Sequence, residues 1–293
     1  MPPMKSSAGS LDPQTRAEVL VQAIPYIQDF AGKTIVIKYG GGAMVNTSLM
    51  QSVMSDLLLL QLMGMRLVLV HGGGPFINRA LEAIGHQSSW QDGLRVTDAT
   101  TMQVAQEVLA GGVNKTLVRA VGAAGGQALG ICGLDGCLLQ AQKHRGPVDL
   151  GYVGDIESVN CRILHDGLDA GYMMVVASIA GSPAGDVYNV NADHAAAAIA
   201  AGCGAQKLIL MTDVLGVLKD RSDPASLLSV LSQKDVPALI DAGIIQGGMI
   251  PKINCCLDAL AGGVQQAHIL DGTLPHAILL ELLSDDGIGT MVI

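Results

Sequence analysis

From Thr34 to Ile293, short unbroken apolar runs alternate with longer stretches of helical period. The runs are TIVIKY (34–39), RLVLVH (66–71), QALGIC (127–132), MMVVAS (173–178), KLILMT (207–212), AHIL (267–270) and TMVI (290–293). Apolar and rich in β-branched residues, they predict strands buried on both faces. Strands of that kind separated by helices predict an α/β protein, a three-layer αβα sandwich with a mainly parallel central sheet. DLGYVGDIESVN (149–160) departs from this pattern, alternating polar and apolar residues around Gly154, and predicts an exposed hairpin. Upstream, Asp12 can cap a helix and Pro13 suits its first position. Ala17, Leu20, Val21, Ile24 and Ile27 then form one stripe, so an N-terminal amphipathic helix is expected over Asp12–Phe30. It precedes the α/β core and needs something to bury that stripe.

The 293 residues are 49% apolar but only 3% aromatic, so the core must be packed with Ala, Val, Ile, Leu and Met. No apolar run approaches the roughly 18 residues of a membrane span, and MPPMKSSAGS lacks the apolar centre of a secretory signal. A cytoplasmic enzyme is expected, or one of the plastid stroma if the source is a plant or alga. The six cysteines form no C-x-x-C pair and read as free thiols of a reducing compartment. A net charge of −9 argues against nucleic acid as a partner. No metal-ligating set of side chains is assigned.

The first strand ends in IKYGGGAM (37–44), with Lys38 beside three glycines, and the second ends in LVLVHGGGP (67–75). Glycine lets backbone N–H groups approach a ligand closely, so two such turns can hold one anion between them. Familiar glycine motifs fail. A Walker A loop would need glycine where Ile27 stands before Gly32 and Lys33. The dinucleotide fingerprint fails at Val45 and Ile77. HGGG has no G-x-S-x-G elbow to serve. What remains is a scatter of anion-compatible groups: Lys38, Arg95 in GLRVTD, Asn189, Asn191 and Asp193 in YNVNAD, and Lys252 in GGMIPK. Singly these read as caps and surface charges; together they suit phosphoryl transfer, which needs positioning and charge neutralisation. No histidine or carboxylate stands out as a general base. That fits an acceptor already ionised at neutral pH, such as a carboxylate of pKa ~4.3.

From about Pro25 to Ile293 the chain resembles the N-acetylglutamate kinases of the amino-acid kinase family, in their arginine-sensitive plant and cyanobacterial form. The resemblance rests on KYGG, HGGGP, GLRVTD, VNK (113–115), GYVG, YNVNAD, TDVLGVL, GGMIPK and AHILDG in order. It implies ATP-dependent phosphorylation of the side-chain carboxylate of N-acetyl-L-glutamate in arginine synthesis, with Mg²⁺ held largely by phosphate oxygens. Residues 1–31 would be an oligomerisation extension. Residues 32–293 would be the kinase domain, with an acetylglutamate-binding and dimerisation half (32–180) and a nucleotide-binding half (181–293).

Carried over by position, Lys38 and Lys252 would neutralise the phosphoryl group in transit and Asp193 would hold them in place. Backbone N–H groups of Gly40, Gly41, Gly73 and Gly74 would bind phosphates. Arg95 and Asn189 would grip the substrate α-carboxylate, and Thr212, Asp213, Gly216 and Val217 would line the nucleotide half. Gly42, Phe76, His194 and Thr273 depart from the usual family residues without removing a charged catalytic group. Relatives such as aspartokinase and carbamate kinase share the fold, but Arg95 with Asn189 favours the acetylglutamate enzyme. A catalytically dead sensor is disfavoured by the intact Lys38, Asp193 and Lys252. The resemblance further implies a homohexamer, a trimer of dimers interlaced by the N-terminal helix, and binding by the trimeric signalling protein PII. It also implies feedback inhibition by arginine at Tyr26, Lys219, His268, Glu281, Gly287 and Gly289.

Overall fold

The computed structural model describes residues 12–91, 93–284 and 287–293. Fourteen strands are present among them. The first seven are β1 (Thr34–Tyr39), β2 (Arg66–His71), β3 (Ser89–Gln91), β4 (Leu94–Val96), β5 (Ala128–Cys132), β6 (Leu139–Lys143) and β7 (Gly154–Val159). The rest are β8 (Met173–Ala177), β9 (Ile179–Gly181), β10 (Val187–Asn189), β11 (Lys207–Thr212), β12 (Val230–Leu231), β13 (Gln266–Asp271) and β14 (Thr290–Val292).

Eight strands build the central sheet in the order β12-β14-β13-β11-β1-β2-β8-β5, parallel throughout except for the antiparallel β13–β14 pair. Each predicted apolar run supplies one of these strands. Alternate residues serve opposite layers. Val36, Val68, Val176, Leu208 and Ile269 face a core completed by the helices Ala192–Gly202 and Met249–Ala261. Ile35, Leu67, Val175, Ile209 and Leu270 face a second core under the helices Thr47–Leu62 and Asn114–Ala124. The fold is therefore the expected three-layer α/β sandwich with a mainly parallel sheet. Strands from before residue 180 occupy one side of the sheet and those from Lys207 onward the other, meeting where β1 pairs β11.

Two expectations are corrected. Residues 149–160 hold one strand rather than a hairpin: β7 pairs with β6, outside the predicted segment, in a small sheet of order β10-β9-β6-β7. The single N-terminal helix is two, Pro13–Gln22 and Ile24–Phe30, meeting at Ala23. Pro25 lacks the N–H that would continue the first helix and instead sits in the first turn of the second. Asp12 caps the first helix, accepting from Gln14 N and Thr15 N. The apolar stripe stays uncovered, with Leu20 66% and Val21 62% exposed.

From Ala99 to Ala124 the backbone is helical without a break, but Glu107–Val113 runs as a π-helix. That segment brings Leu109 and Val113 against the second glycine turn.

Candidate active site

Parallel strands direct their carboxyl ends to one edge of the sheet, and a ligand crevice belongs there. Lys38 is the penultimate residue of β1, in register with Val70 of β2 and Leu210 of β11. Its side chain stays in reach of solvent because the glycine turn follows at once. A Cβ on Gly40 would lie 3.0 Å from Lys38 Nζ, so glycine leaves the ammonium its room. A Cβ on Gly73 would meet Leu109 at 2.6 Å, so the second turn can only lie this close to the π-helix as glycine.

Asn191 caps the helix Ala192–Gly202 by accepting from Asp193 N and His194 N, which points the first turn into the crevice. Asp193 there meets both lysines. Its Oδ2 accepts from Lys252 Nζ at 2.8 Å, and its Oδ1 lies 2.9 Å from Lys38 Nζ, an ion pair without hydrogen-bond alignment. Burial pushes this carboxyl up, but the Lys38 and Lys252 charges outweigh it and hold Asp193 at about 2. The three groups carry a net positive charge, suited to an anion that would draw the lysines off the carboxylate.

Two clefts flank this cluster. One, of about 310 Å³, is lined by Lys38, Gly40, Gly41, Gly73, Gly74, Arg95, Asn189 and Asp193. Arg95 is 4% exposed, yet no described carboxylate lies within ion-pair distance of it. Neutral groups hold it instead: Nη1 donates to Ser88 Oγ and Nη2 to Asn78 Oδ1, both at 2.6 Å, and Nη2 also to Gly74 O at 3.2 Å. Its guanidinium stacks 4.4 Å from the ring of Trp90. Burial pulls the Arg95 pKa down from its usual value, so the site carries an incompletely compensated cation. Asn189 donates to Thr97 Oγ1 at 3.3 Å and faces the same cleft. Asn78, Ser88 and Trp90 lie in no motif; the signal available was that Trp90 is the chain's one tryptophan.

The other cleft, of about 400 Å³, is lined by Lys252, Asp213, Gly216 and Val217 with apolar Val214, Ile244 and Met249. Thr212 is buried behind it, where its Oγ1 accepts from Val214 N at 3.1 Å and shapes the turn. Lys38 thus lines the first cleft, Lys252 the second, and Asp193 joins the two. His71, buried under the second glycine turn, donates from Nδ1 to Gly72 O and accepts at Nε2 from Asn114 Nδ2. Burial pulls it down to about 4, so it stays neutral and structural.

Residues 33–271 match the model of the amino acid kinase family. The chain belongs to the amino acid kinase family. An acetylglutamate kinase of Heliobacterium modesticaldum is 50% identical to this kinase over 95% of the chain and 98% of that protein. One of Synechococcus sp. is 48% identical over 99% of the chain and 92% of that protein. This kinase is accordingly an enzyme of the acetylglutamate kinase group, a phosphotransferase with a carboxyl group as acceptor. Among solved structures, N-acetylglutamate synthase of Neisseria gonorrhoeae with coenzyme A and N-acetyl-glutamate superposes with a TM-score of 0.83 at 28% identity. It covers 94% of this chain, which spans 63% of the synthase. The same synthase with coenzyme A and L-arginine gives a TM-score of 0.78 at 27% identity over 94% of this chain and 65% of its own.

The residues expected to serve an effector line neither of these clefts. A cavity of about 830 Å³ is lined by Tyr26, His268, Glu281, Gly287 and Gly289. Glu281 Oε1 lies 2.6 Å from His268 Nδ1, and its Oε2 accepts from Ile288 N and Gly289 N at 2.8 and 3.0 Å. Burial raises this carboxyl, and those bonds hold it below its usual value. Lys219 is not among the lining residues; it is exposed in a turn, its N–H bonded to Ser226 O. Lys207 lines the cavity in its stead, near His268 and 5.2 Å from the Phe30 ring. Sequence reading saw Lys207 only as the start of a strand. Among the described residues no helix is long and apolar enough to cross a membrane.

Proposed function

We propose that this kinase transfers the γ-phosphoryl group of ATP to the side-chain carboxylate of N-acetyl-L-glutamate, giving N-acetyl-L-glutamyl 5-phosphate for arginine synthesis in the cytoplasm. The observation that carries this reading is Asp193 bridging Lys38 and Lys252, each of which lines one of the two clefts. Acetylglutamate occupies the cleft of Arg95 and Asn189, its α-carboxylate supplying the anion that the buried guanidinium lacks. ATP occupies the cleft of Asp213, Gly216 and Val217. The half before residue 180 then supplies most of the acceptor cleft, joined there by Asn189, and the half after it supplies the nucleotide cleft.

During transfer the two lysines exchange part of their contact with Asp193 for the equatorial oxygens of the moving group, where negative charge must be neutralised. N–H groups of Gly40, Gly41, Gly73 and Gly74 donate to those oxygens. No base is required because the acceptor carboxylate is already ionised at neutral pH. Both Asp193 oxygens face lysines, so the donor set fits a Mg²⁺ held by the nucleotide's phosphates rather than by a protein cage. When bound, that ion supplies further neutralisation of the phosphate charge.

Arginine as feedback inhibitor is assigned to the cavity of Tyr26, Lys207, His268 and Glu281. Supporting this, a structural neighbour is described as complexed with L-arginine, and Glu281 offers an ionised carboxylate beside the Gly287–Gly289 turn. The uncovered stripe on residues 13–24 supports a hexamer in which a neighbouring subunit buries it. PII as a partner rests on the resemblance to the cyanobacterial form alone.

The test is a panel of acceptors with ATP, read as ADP release and as acyl phosphate trapped by hydroxylamine. N-acetyl-L-glutamate should give both signals, while glutamate, aspartate and carbamate should give little. Preference for any other acceptor overturns the assignment.

A further inference from the structure

At the far end of the helix whose first turn holds Asp193, two cysteines from distant segments almost touch. Cys161 precedes the helix Arg162–Asp169 and Cys203 ends the helix Ala192–Gly202. Their sulfurs are 2.7 Å apart across 42 positions of sequence. His165, one turn after Cys161, brings a ring nitrogen within 4.8 Å of both sulfurs. All three lie on the same side of the fold, with the cysteines 8% and 7% exposed.

We propose that Cys161 and Cys203 are an oxidisable pair which hydrogen peroxide closes into a disulfide. The distance lies nearer to a disulfide than to a pair of metal-bound thiolates. Two thiolates bound to zinc at 2.3 Å in tetrahedral geometry sit about 3.8 Å apart. Unbonded heavy atoms pack at about 3.5–4.0 Å. The observed 2.7 Å is shorter than either, and a disulfide at about 2.05 Å needs the sulfurs to close by only about 0.7 Å. The closeness is built into the backbone: a Cβ on Gly202 would lie 3.1 Å from Val159 Cβ and 3.2 Å from Cys161 Sγ. A side chain at 202 would need Val159 or Cys161 to give by a few tenths of an ångström.

Cys161 is the attacking sulfur. A hydrogen bond from Cys203 pulls its pKa down, and a helix N-terminus favours a thiolate. Cys203 is raised by the same contact and keeps its proton. In the first step the Cys161 thiolate attacks one peroxide oxygen. An S–O bond forms, the O–O bond breaks, and hydroxide leaves, gaining a proton to become water. In the second step Cys203 sulfur attacks Cys161 sulfur. The S–S bond forms, the S–O bond breaks, and the departing hydroxide takes the Cys203 proton, by way of His165, as a second water. Two thiols are oxidised and one peroxide is reduced to two waters.

The bond would tie the end of β7 to the helix whose first turn holds Asp193. Cross-linking a loop of this length is expected to raise Tm by roughly 5–15 °C.

The test treats the full chain, purified under reductant and then freed of it, with dilute hydrogen peroxide. Free thiols should fall from six to four, a cross-linked peptide pair containing Cys161 and Cys203 should appear two mass units light, and Tm should rise. Reductant should reverse all three. Cys161→Ser and Cys203→Ser should each abolish the cross-linked pair; if one variant fails to fold, the other and the wild-type peptide map still decide. Retention of all six thiols overturns the proposal. So does a cross-link through Cys255, Cys256 or Cys137, or stable sulfinic acid at Cys161 without a cross-link. Zinc retained at one per chain, with the pair protected until a chelator is added, also overturns it.

Discussion

Replacing Asp193 by Asn keeps the shape of the lysine bridge and removes its charge. The depression of Asp193 from 3.8 to about 2 sets the magnitude. At 1.36 kcal/mol per unit it corresponds to about 2 kcal/mol of stability supplied by the ionised form. The folded pKa lies below the unfolded one, so this stabilisation is fully present above about pH 4 and disappears as pH falls through 2. About half is gone by pH 3. The advantage of wild type over Asp193→Asn in urea unfolding should therefore be flat between pH 6 and 5, shrink below 4 and be roughly halved at 3. If the same energy is what positions the two ammonium groups, kcat should fall about 30-fold at pH 7, read by coupled ADP release. An Asp193→Asn enzyme whose urea midpoint tracks wild type at every pH, or whose turnover is unchanged, refutes the bridge as described.

Lys38→Ala and Lys252→Ala should each lower kcat by ~10²–10³, the usual cost of losing one oxyanion donor; near-normal turnover in Lys252→Ala would exclude its role. Arg95→Ala should raise the KM for N-acetylglutamate about 10–100-fold with a smaller change in kcat, as expected for one charged hydrogen-bond partner of a bound anion. A loss confined to kcat would place Arg95 elsewhere in the reaction. Deleting residues 1–30 should yield smaller assemblies by light scattering, active but weakly inhibited by arginine; a truncated chain that stays hexameric and fully sensitive removes the helix from that role.

The central sheet was legible because each of its long strands is an unbroken apolar run, a pattern burial on both faces requires. The small sheet was not. Ile179–Gly181 and Val187–Asn189 are three residues each, too short to carry a period, and residues 149–160 looked like a complete hairpin until the partner of Gly154–Val159 proved to be Leu139–Lys143. Pro25 did announce the break in the N-terminal helix, but the apolar stripe runs across it and masked the signal. At the site, the charged residues sit in recognisable motifs, whereas the neutral cradle of Arg95 does not. Asn78, Ser88 and Trp90 are brought to the guanidinium by tertiary packing, which leaves no local spacing to read. Lys207 was hidden for a related reason: a lysine opening a buried strand reads as an edge until a cavity is seen beside it.

The π-helical stretch Glu107–Val113 can be viewed as a phase change in one long helix. Met102 and Ala105 before it, and Leu109 within it, pack with Ile77 and Leu81 near the cleft of Arg95. Val113, its last residue, and Leu117 and Val121 after it pack into the core beneath the central sheet. A helix advances 100° per residue, and a π-turn absorbs one residue more than an α-turn. Deleting a single residue from this stretch would restore an α-helix with its flanks still in phase, whereas winding the stretch as α-helix at full length would turn Ala99–Gln106 by about 100° relative to the sheet. Asp98, which caps that helix three positions after Arg95, would swing with it. The helix thus carries one residue more than its phase allows, and the wide turn that takes it up holds the angle at which the loop bearing the guanidinium meets the cleft.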